Sequence, residues 1–429
     1  MKLEGTSTQR ISSVLGTSVL LWALAGCSSG TPITPTNPCD AGLCTNFNPG
    51  FDATTDIPNT IGVTFSGETL GIAGLPFCPA NQGDPYFVDG WNMSFSEYIF
   101  VVANVRLNAN PLENQTWPDM GPQVAIKPGP YVIDAHRAGG FIGKDGVEPA
   151  SGLFLWTQLD NGQSFDTSVR YAFSYDVVTA SYPATSVNLS ETEFGDYALM
   201  VQNGWSKLIR GTATYVGTGT YANPIDPNAA QAQALFAALP VTVNFAFGWN
   251  DATQMLNCVN YDWNASEDSL ADRGVETNPD GTYIAQITEH TDHTFWDKLR
   301  QEGANLRFDP IAAFAPTDGG TFWVNNSVQK LQTTFADGTT PLPDRAPFQL
   351  QPNCPNAAPI NQSTNDETGD GLQVILNVNG TSGLTNAMNV FMAFSAQSQS
   401  HLNAQGLCYV VGQHANDPYF SPQVPAVPN

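Results

Sequence analysis

The stretch Val241–Trp249 reads V-T-V-N-F-A-F-G-W and has the clearest two-residue period in the chain. Valine, phenylalanine and tryptophan occupy every second position, with Thr242, Asn244, Ala246 and Gly248 between them. Because successive side chains of a β-strand point to opposite faces, this alternation predicts a strand with one buried face.

The same period appears on both sides of this stretch. Apolar residues at every second position from Ile99 to Leu107 predict a long half-buried strand. Shorter runs predict further strands at Ile61–Phe65, Trp91–Phe95, Tyr131–Asp134, Val169–Phe173 and Tyr283–Ile287. Spacings of three and four predict helices at Asn228–Leu239, Thr294–Glu302 and Leu384–Leu402. The fold class expected is therefore mainly β, a disulfide-braced β-sandwich-like domain with a few helices, one near the C-terminus.

Composition and charge restrict the function. Charged residues make up only 13% of the chain, with 38 Gly and 31 Pro, which favours an exported β-rich protein with many turns over a helical bundle. The formal net charge of −24 opposes binding to nucleic acid and to anionic lipid headgroups. Attachment to a membrane is therefore expected through lipid and not through charge.

The N-terminus indicates export. Lys2 and Arg10 precede an apolar run at residues 11–26, which is too short to span a membrane and is typical of a signal peptide. The run ends in Leu24-Ala-Gly-Cys27, which resembles the bacterial lipobox; the resemblance implies cleavage before Cys27 and lipidation of its sulfur. Ser28 resembles the outer-membrane sorting pattern, with the protein facing the periplasm or the cell surface. The alternative is an ordinary secreted protein.

These signals divide the chain into three parts. Residues 1–26 form the signal peptide, residues 27–55 a Pro- and Thr-rich tether, and residues 56–429 the β-sandwich-like domain with its helical C-terminal part.

Six cysteines remain once Cys27 is assigned to the lipid: Cys39, Cys44, Cys78, Cys258, Cys354 and Cys408. An even number in an oxidising compartment predicts disulfides, although six cysteines allow about fifteen pairings. Cys39 and Cys44 are expected to close a small loop, and a Cys258–Cys408 bridge is the preferred long-range pairing.

The best candidate for a site is Ile287–Trp296, I-T-E-H-T-D-H-T-F-W, which contains two of the five histidines. Neutral imidazole is a good ligand for Cu or Zn, and nearby carboxylates can orient the rings. His290 and His293 are the predicted ligands, with His136 as the expected third ligand, Asp292 orienting the rings and His401 as a further candidate. The alternative is structural, with Asp292 or Thr294 capping a helix.

A calcium site is not expected. Asp366–Gly371 resembles the first half of a calcium loop, but Asn377 stands where the closing bidentate Glu would be. A plain acidic turn is predicted there.

Several stretches together resemble a family of uncharacterised bacterial envelope lipoproteins. They are Asp89–Trp91 with the strand to Leu107, Val132–His136, Phe245–Trp249 before Cys258, His290–His293 with Phe295, Leu306–Ala313, and a terminal helix ending at Cys408. The chain departs from the family pattern at Phe314–Gly320, which lacks dense carboxylates, and at Leu407, where the family tends to place a histidine. The Tyr98–Leu107 strand is also similar to periplasmic copper proteins that work beside di-haem peroxidases.

These observations predict a lipid-anchored envelope protein that binds a ligand, with a Cu or Zn site. No G-x-S-x-G elbow, P-loop or dinucleotide fingerprint is present in the sequence. Two alternatives remain open: a metal-dependent or glycosidic hydrolase of the envelope, and a structural or adhesive surface module. The sequence indicates no particular protein partner.

Overall fold

The computed structural model describes residues 47–52, 57–79, 84–87, 89–112, 119–137, 139–142, 149–217, 234, 237–260, 273–277, 279–295, 306, 308–312, 315, 318–324, 400–404 and 406–411. Sixteen strands occur in these ranges. They are β1 Thr60–Ser66, β2 Trp91–Asn108, β3 Gln123–Lys127, β4 Tyr131–Asp134, β5 Phe141–Ile142, β6 Pro149–Trp156, β7 Ala172–Val177, β8 Thr185–Ser186, β9 Lys207–Tyr215, β10 Thr242–Trp249, β11 Thr253–Leu256, β12 Thr282–Glu289, β13 Thr321–Val324, β14 Ser400–Leu402, β15 Gly406–Leu407 and β16 Tyr409–Val411.

Helices are few and short. The described residues form α1 (Glu68–Ala73), α2 (Glu191–Asn203), a 3-10 helix (Thr291–Phe295) and α3 (Asp309–Ala312). None of the helices in these parts of the chain combines the length and the apolar character that a membrane crossing requires. The mainly β fold class predicted from the sequence is confirmed.

The strands form two sheets that share one hydrophobic core. One sheet has six strands in the order β15-β14-β12-β1-β6-β5. The other has ten strands: its main path runs β13-β10-β9-β2-β7-β11-β16, and β3, β4 and β8 lie off that path. Phe65 of the first sheet packs against Phe100 of the second, with ring centroids 5.5 Å apart. Face-to-face packing of two sheets over a common core is the arrangement expected of a sandwich.

The long strand β2 confirms the predicted strand at residues 99–107 but is buried on both faces along its middle. Tyr98, Phe100 and Val102 face the main core, whereas Ile99 and Val101 pack in a second cluster with α2 residues Phe194, Tyr197 and Met200. The expectation of a half-buried strand is wrong here: α2 covers Ile99 and Val101, which the alternation assigned to the buried face, and the opposite face, which it left to solvent, packs into the main core.

The Cys258–Cys408 disulfide is present, as predicted, and its cysteines are 150 positions apart in sequence. Cys78 is also disulfide-bonded. Cys39, Cys44 and Cys354, together with the predicted lipidation site Cys27 and the acidic turn predicted at residues 366–371, lie outside the described residues.

The three helices predicted from the sequence are corrected in part and otherwise lie outside the described residues. Ser400–Leu402, the end of the predicted terminal helix, forms strand β14 by pairing with β12; residues 384–399 lie outside the described residues, as does most of the predicted helix at residues 228–239. Asp292 and Thr294 lie inside the 3-10 helix, and the helix predicted at residues 294–302 lies outside the described residues from residue 296 onward, so the capping of that helix stays a prediction.

Candidate metal centre

One end of the six-stranded sheet brings distant parts of the chain together. Strands β1 and β12 run parallel, with Ser66 opposite Thr288, so both strands end at the same edge of the sheet. Helix α1 follows β1, and the 3-10 helix follows β12. The two helices are closely packed: a Cβ added to Gly71 of α1 would lie only 3.3 Å from Thr291 Cγ2 of the 3-10 helix.

The 3-10 helix is fixed by an aromatic anchor. Phe295 is buried to 1% exposure and contacts five other phenylalanine rings at centroid distances of 5.5–6.4 Å, namely Phe87, Phe95, Phe245, Phe247 and Phe308. Residues three apart align on one side of a 3-10 helix. His293 lies in this helix and His290 immediately precedes it, and their ring centroids are 5.0 Å apart.

Strand β14 adds a third imidazole. It pairs antiparallel with the end of β12, so that His401 lies opposite Thr288 and Ser400 lies opposite Glu289. The ring centroid of His401 is 4.3 Å from that of His290 and 5.7 Å from that of His293. His401 therefore reaches the site from a strand and not from the helix predicted for it.

We call His290, Asp292, His293 and His401 the histidine cluster. All four residues are buried, with exposures of 4–9%. His290, Asp292 and His293 each offer one ligand atom, and these three atoms lie within 4.8 Å of one another. The His401 ring packs beside them without joining that closest group of ligand atoms.

The hydrogen bond of His290 defines its tautomer. His290 Nε2 lies 2.5 Å from the carbonyl oxygen of Ala404. A carbonyl can only accept, so Nε2 carries a proton, and in the neutral form of the ring Nδ1 holds the lone pair. Glu68 Oε1 lies 3.4 Å from the same Nε2. The Ala404 carbonyl and the Glu68 carboxylate therefore contact the ring at Nε2, and Nδ1 is the nitrogen that can bind a metal.

A tight turn between β14 and β15 directs the Ala404 carbonyl towards His290 Nε2. Asn403 and Ala404 both adopt left-handed backbone conformations, with φ of 50° and 70°. Asn403 is buried and exchanges hydrogen bonds with Gln286: its backbone N–H donates to the Gln286 carbonyl, and its side-chain oxygen accepts the Gln286 N–H. The Ala404 N–H donates to Thr288 Oγ1 at 3.0 Å. These bonds attach the turn to β12.

A buried charge network lies beside the cluster. Lys207 is fully buried, and its Nζ is 2.7 Å from Asp251 Oδ2 and 2.8 Å from Glu289 Oε1. Ser400 donates to Glu289 Oε2 at 2.7 Å, and Ser206 donates to Asp251. Because Lys207 begins β9 and Glu289 ends β12, this ion pair joins the two sheets at the end that holds the histidines.

Glu289 has an unusual electrostatic environment. The pKa of its carboxyl is raised to about 7; burial is the main cause and the nearby Asp251 adds to it, whereas Lys207 and the Ser400 hydrogen bond act in the opposite direction. The desolvation penalty therefore outweighs the neighbouring cation. A carboxyl group with this pKa lies directly before His290 in the chain.

His136 takes a different position from the one predicted. It follows β4, is half buried, and its Nδ1 lies 2.8 Å from the Gly71 carbonyl of α1. Its backbone N–H donates to Asp134. The structure gives it contacts with α1 and does not place it among the three closest ligand groups. His136 as third ligand stays a prediction, whereas the His401 ring lies against both other imidazoles.

Three residues of this region were not identified from sequence: Glu68, Lys207 and Asp251. The sequence does mark Lys207 as unusual, because this lysine interrupts the apolar segment from Trp205 to Ile209 in a chain with only 15 Lys and Arg. It does not mark Glu68 or Asp251, since each follows a strand in an ordinary turn-like sequence.

No protein-family model, curated protein or solved structure matches this chain.

Proposed function

We propose that this protein is a lipid-anchored envelope protein that binds one transition-metal ion, Cu or Zn, at the histidine cluster. The observation that carries the proposal is the grouping of His290, Asp292 and His293 ligand atoms within 4.8 Å, with the His401 ring packed at a tilt beside them. Imidazole nitrogen and carboxylate oxygen together suit Zn, Cu, Ni or Fe better than Ca or Mg.

The ring spacing supports a shared ion. With Zn–N bonds of about 2.0–2.1 Å, two imidazoles on one tetrahedral ion have centroids about 5 Å apart. The three centroid distances in the cluster are 4.3, 5.0 and 5.7 Å. These distances require only small ring movements to bring the nitrogens onto one ion.

Burial supports the proposal independently. Thr291 is fully buried between two cluster residues, and its hydroxyl has no hydrogen-bond partner within the described parts of the chain. A buried polar atom without a partner calls for a particular explanation, such as a water or an ion. A metal ion with a bound water beside the cluster provides one.

The test is metal content and affinity. Wild type and the double variant His290→Ala/His293→Ala should be loaded with Zn or Cu, desalted and measured by elemental analysis and by competition with a chelator. Wild type should retain about one ion per chain and the double variant essentially none. The metal should raise the melting temperature of wild type alone, because a ligand stabilises the state that binds it.

His136→Ala is the matched control, since it removes a half-buried histidine next to α1 that lies outside the cluster. It should retain the ion. If the double variant retains metal and His136→Ala loses it, the site is centred on His136. A wild type that retains no ion after loading contradicts the proposal and favours a structural or adhesive module.

Lipid attachment is part of the same proposal, and the L-A-G-C ending at Cys27 supports it. Cys27→Ser should move the protein from the detergent-extracted membrane fraction into the soluble fraction. An unchanged distribution between the fractions would contradict the anchor without affecting the metal site.

A further inference from the structure

Glu68 is a buried carboxylate that reaches the histidine cluster from a different part of the chain. It is 7% exposed, and its Oε1 lies 3.4 Å from His290 Nε2. It begins α1, 222 positions before His290 by residue number. Buried acids are rare unless they are paired, so a carboxylate directed at an imidazole N–H requires an explanation.

The backbone around Glu68 is packed closely enough to fix this approach. Glu68 has φ of 60°, a left-handed conformation that side-chain-bearing residues rarely adopt. A Cβ at Gly67 would lie 2.5 Å from the Ala135 carbonyl, and one at Gly71 would lie 3.1 Å from the same oxygen. Strained residues of this kind persist only where the surroundings hold them, and they concentrate at functional sites.

The chemistry follows from the single proton on His290 Nε2. The Ala404 carbonyl accepts that proton, with its oxygen 2.5 Å from Nε2, and the Glu68 carboxylate lies beside the same nitrogen at 3.4 Å. Histidine ligands commonly donate their second N–H to a carboxylate or a carbonyl, which fixes the ring and makes the ligating nitrogen more basic. Here both kinds of acceptor meet the same nitrogen.

We propose that Glu68 is a positioning residue of the metal site: it orients His290 through Nε2–H and supplies a buried negative charge beside the bound cation. The inference rests on the proposed metal-binding function and deepens it. It adds a residue that binds no metal directly but determines how tightly the ion is held, and it favours a divalent ion over monovalent Cu(I).

The test uses three substitutions at this position, with affinity for Zn²⁺ measured by chelator competition. Glu68→Ala should weaken binding about 10–100-fold, the usual effect of losing such an acceptor. Glu68→Gln keeps an acceptor oxygen without the charge and should be intermediate. Stoichiometry should remain about one ion per chain in all three variants, because the ligands themselves are intact.

Glu68→Gly separates positioning from folding. Glycine adopts positive φ without strain, so the metal-free Gly variant should melt at or above the wild-type temperature while its affinity still falls. A purely structural role for Glu68 predicts the opposite pattern, with stability lost and affinity kept. Glu97→Gln, a buried carboxyl in the other sheet, is the control and should leave affinity unchanged.

Cu²⁺ provides a spectroscopic readout that a structural role would not change. The electron paramagnetic resonance parameters of bound Cu²⁺ should shift in Glu68→Ala, because the basicity and orientation of His290 change. Unaltered affinity and spectra in all three variants would overturn this inference while leaving the proposed function intact. If wild type binds neither ion, the proposed function fails first, and the two failures are distinguishable.

Discussion

At the scale of single residues, Lys207 is a fully buried cation with a large expected effect on stability. A fully buried lysine is costly in water-free surroundings, and it is tolerated here because two carboxylates and the face of Phe100, 4.1 Å from Nζ, surround the ammonium group. Removing one partner of such a group leaves buried charge uncompensated, which costs more than the pair itself contributes.

Lys207→Met should therefore destabilise the protein by about 3–5 kcal/mol at neutral pH, because Asp251 and Glu289 lose their shared cation. Urea unfolding followed by circular dichroism measures this free energy. Lys127→Met is the control: Lys127 is half buried and its Nζ lies 5.9 Å from the Phe154 ring, so the loss there should stay below about 1 kcal/mol. Similar losses in the two variants would show that the buried network contributes little.

At the scale of elements, the packing of α2 on β2 and β9 depends on a carboxyl pair. Glu97 of β2 lies 3.1 Å from Arg210 Nε, and Arg210 also binds Asp196 of α2. The pKa of Glu97 is raised to about 8; burial is the main cause, the charge and hydrogen bond of Asp196 and, less, Glu193 add to it, and Arg210 opposes them. Glu97 therefore holds its proton at neutral pH and shares it with Asp196.

This raised pKa gives a stability dependence with a definite sign. The ordinary pKa of the group is 4.5, so between that value and about 8 the folded state binds more protons than the unfolded state. The contribution of Glu97 to stability is complete below the ordinary pKa and is lost as pH rises towards 8. The free energy of unfolding of wild type should fall over this range, and Glu97→Gln should remove part of that decline.

The comparison between wild type and variant isolates Glu97 from other carboxyls with raised pKa values, such as Asp134 at about 6 and Glu289 at about 7. Exposed Glu191 on α2 supplies the control, and Glu191→Gln should keep the wild-type pH dependence. Parallel pH profiles for wild type and Glu97→Gln would contradict the assignment.

The strands and helices also show which features of the fold the sequence alone could predict. The strands at residues 91–107 and 241–249 were predictable, because period-2 alternation reports one buried face directly. Burial of their second face was not, since it depends on α2 and on neighbouring strands. For Ser400–Leu402, pairing with β12 overrode a helical spacing of apolar residues, which is a weak preference by comparison.

The residues of the candidate site also divide into those whose proximity the sequence predicts and those that only the tertiary fold brings together. His290 and His293 lie three residues apart, so their proximity could be read from spacing. His401, Glu68 and Lys207 join them only through the parallel pairing of β1 with β12, the addition of β14, and the packing of the two sheets. Such long-range pairings follow from the tertiary fold, which a single sequence does not specify by local pattern.

At the scale of the whole molecule, residues 400–411 join the two sheets. Strands β14 and β15 extend the six-stranded sheet, and β16 pairs with β11 in the ten-stranded sheet. The Cys258–Cys408 bridge fastens this segment immediately before β16. The same segment carries His401, the Ala404 carbonyl and Ser400, so the bridge that braces the fold also secures one wall of the proposed metal site.

Cys258→Ser/Cys408→Ser should therefore lower both stability and metal affinity. The cysteines are 150 positions apart, and closing a loop of that size contributes at most about 5 kcal/mol in the chain-entropy model, with about 2–4 kcal/mol typical. The metal-free double variant should unfold at a lower urea concentration, and its Zn²⁺ dissociation constant should rise because the segment must be ordered on binding. Saturating Zn²⁺ should recover part of the lost stability, because the ion holds the cluster that the bridge no longer secures. A variant that loses stability but binds Zn²⁺ as tightly as wild type would show that strand pairing alone seats His401 and that the disulfide serves the fold and not the site.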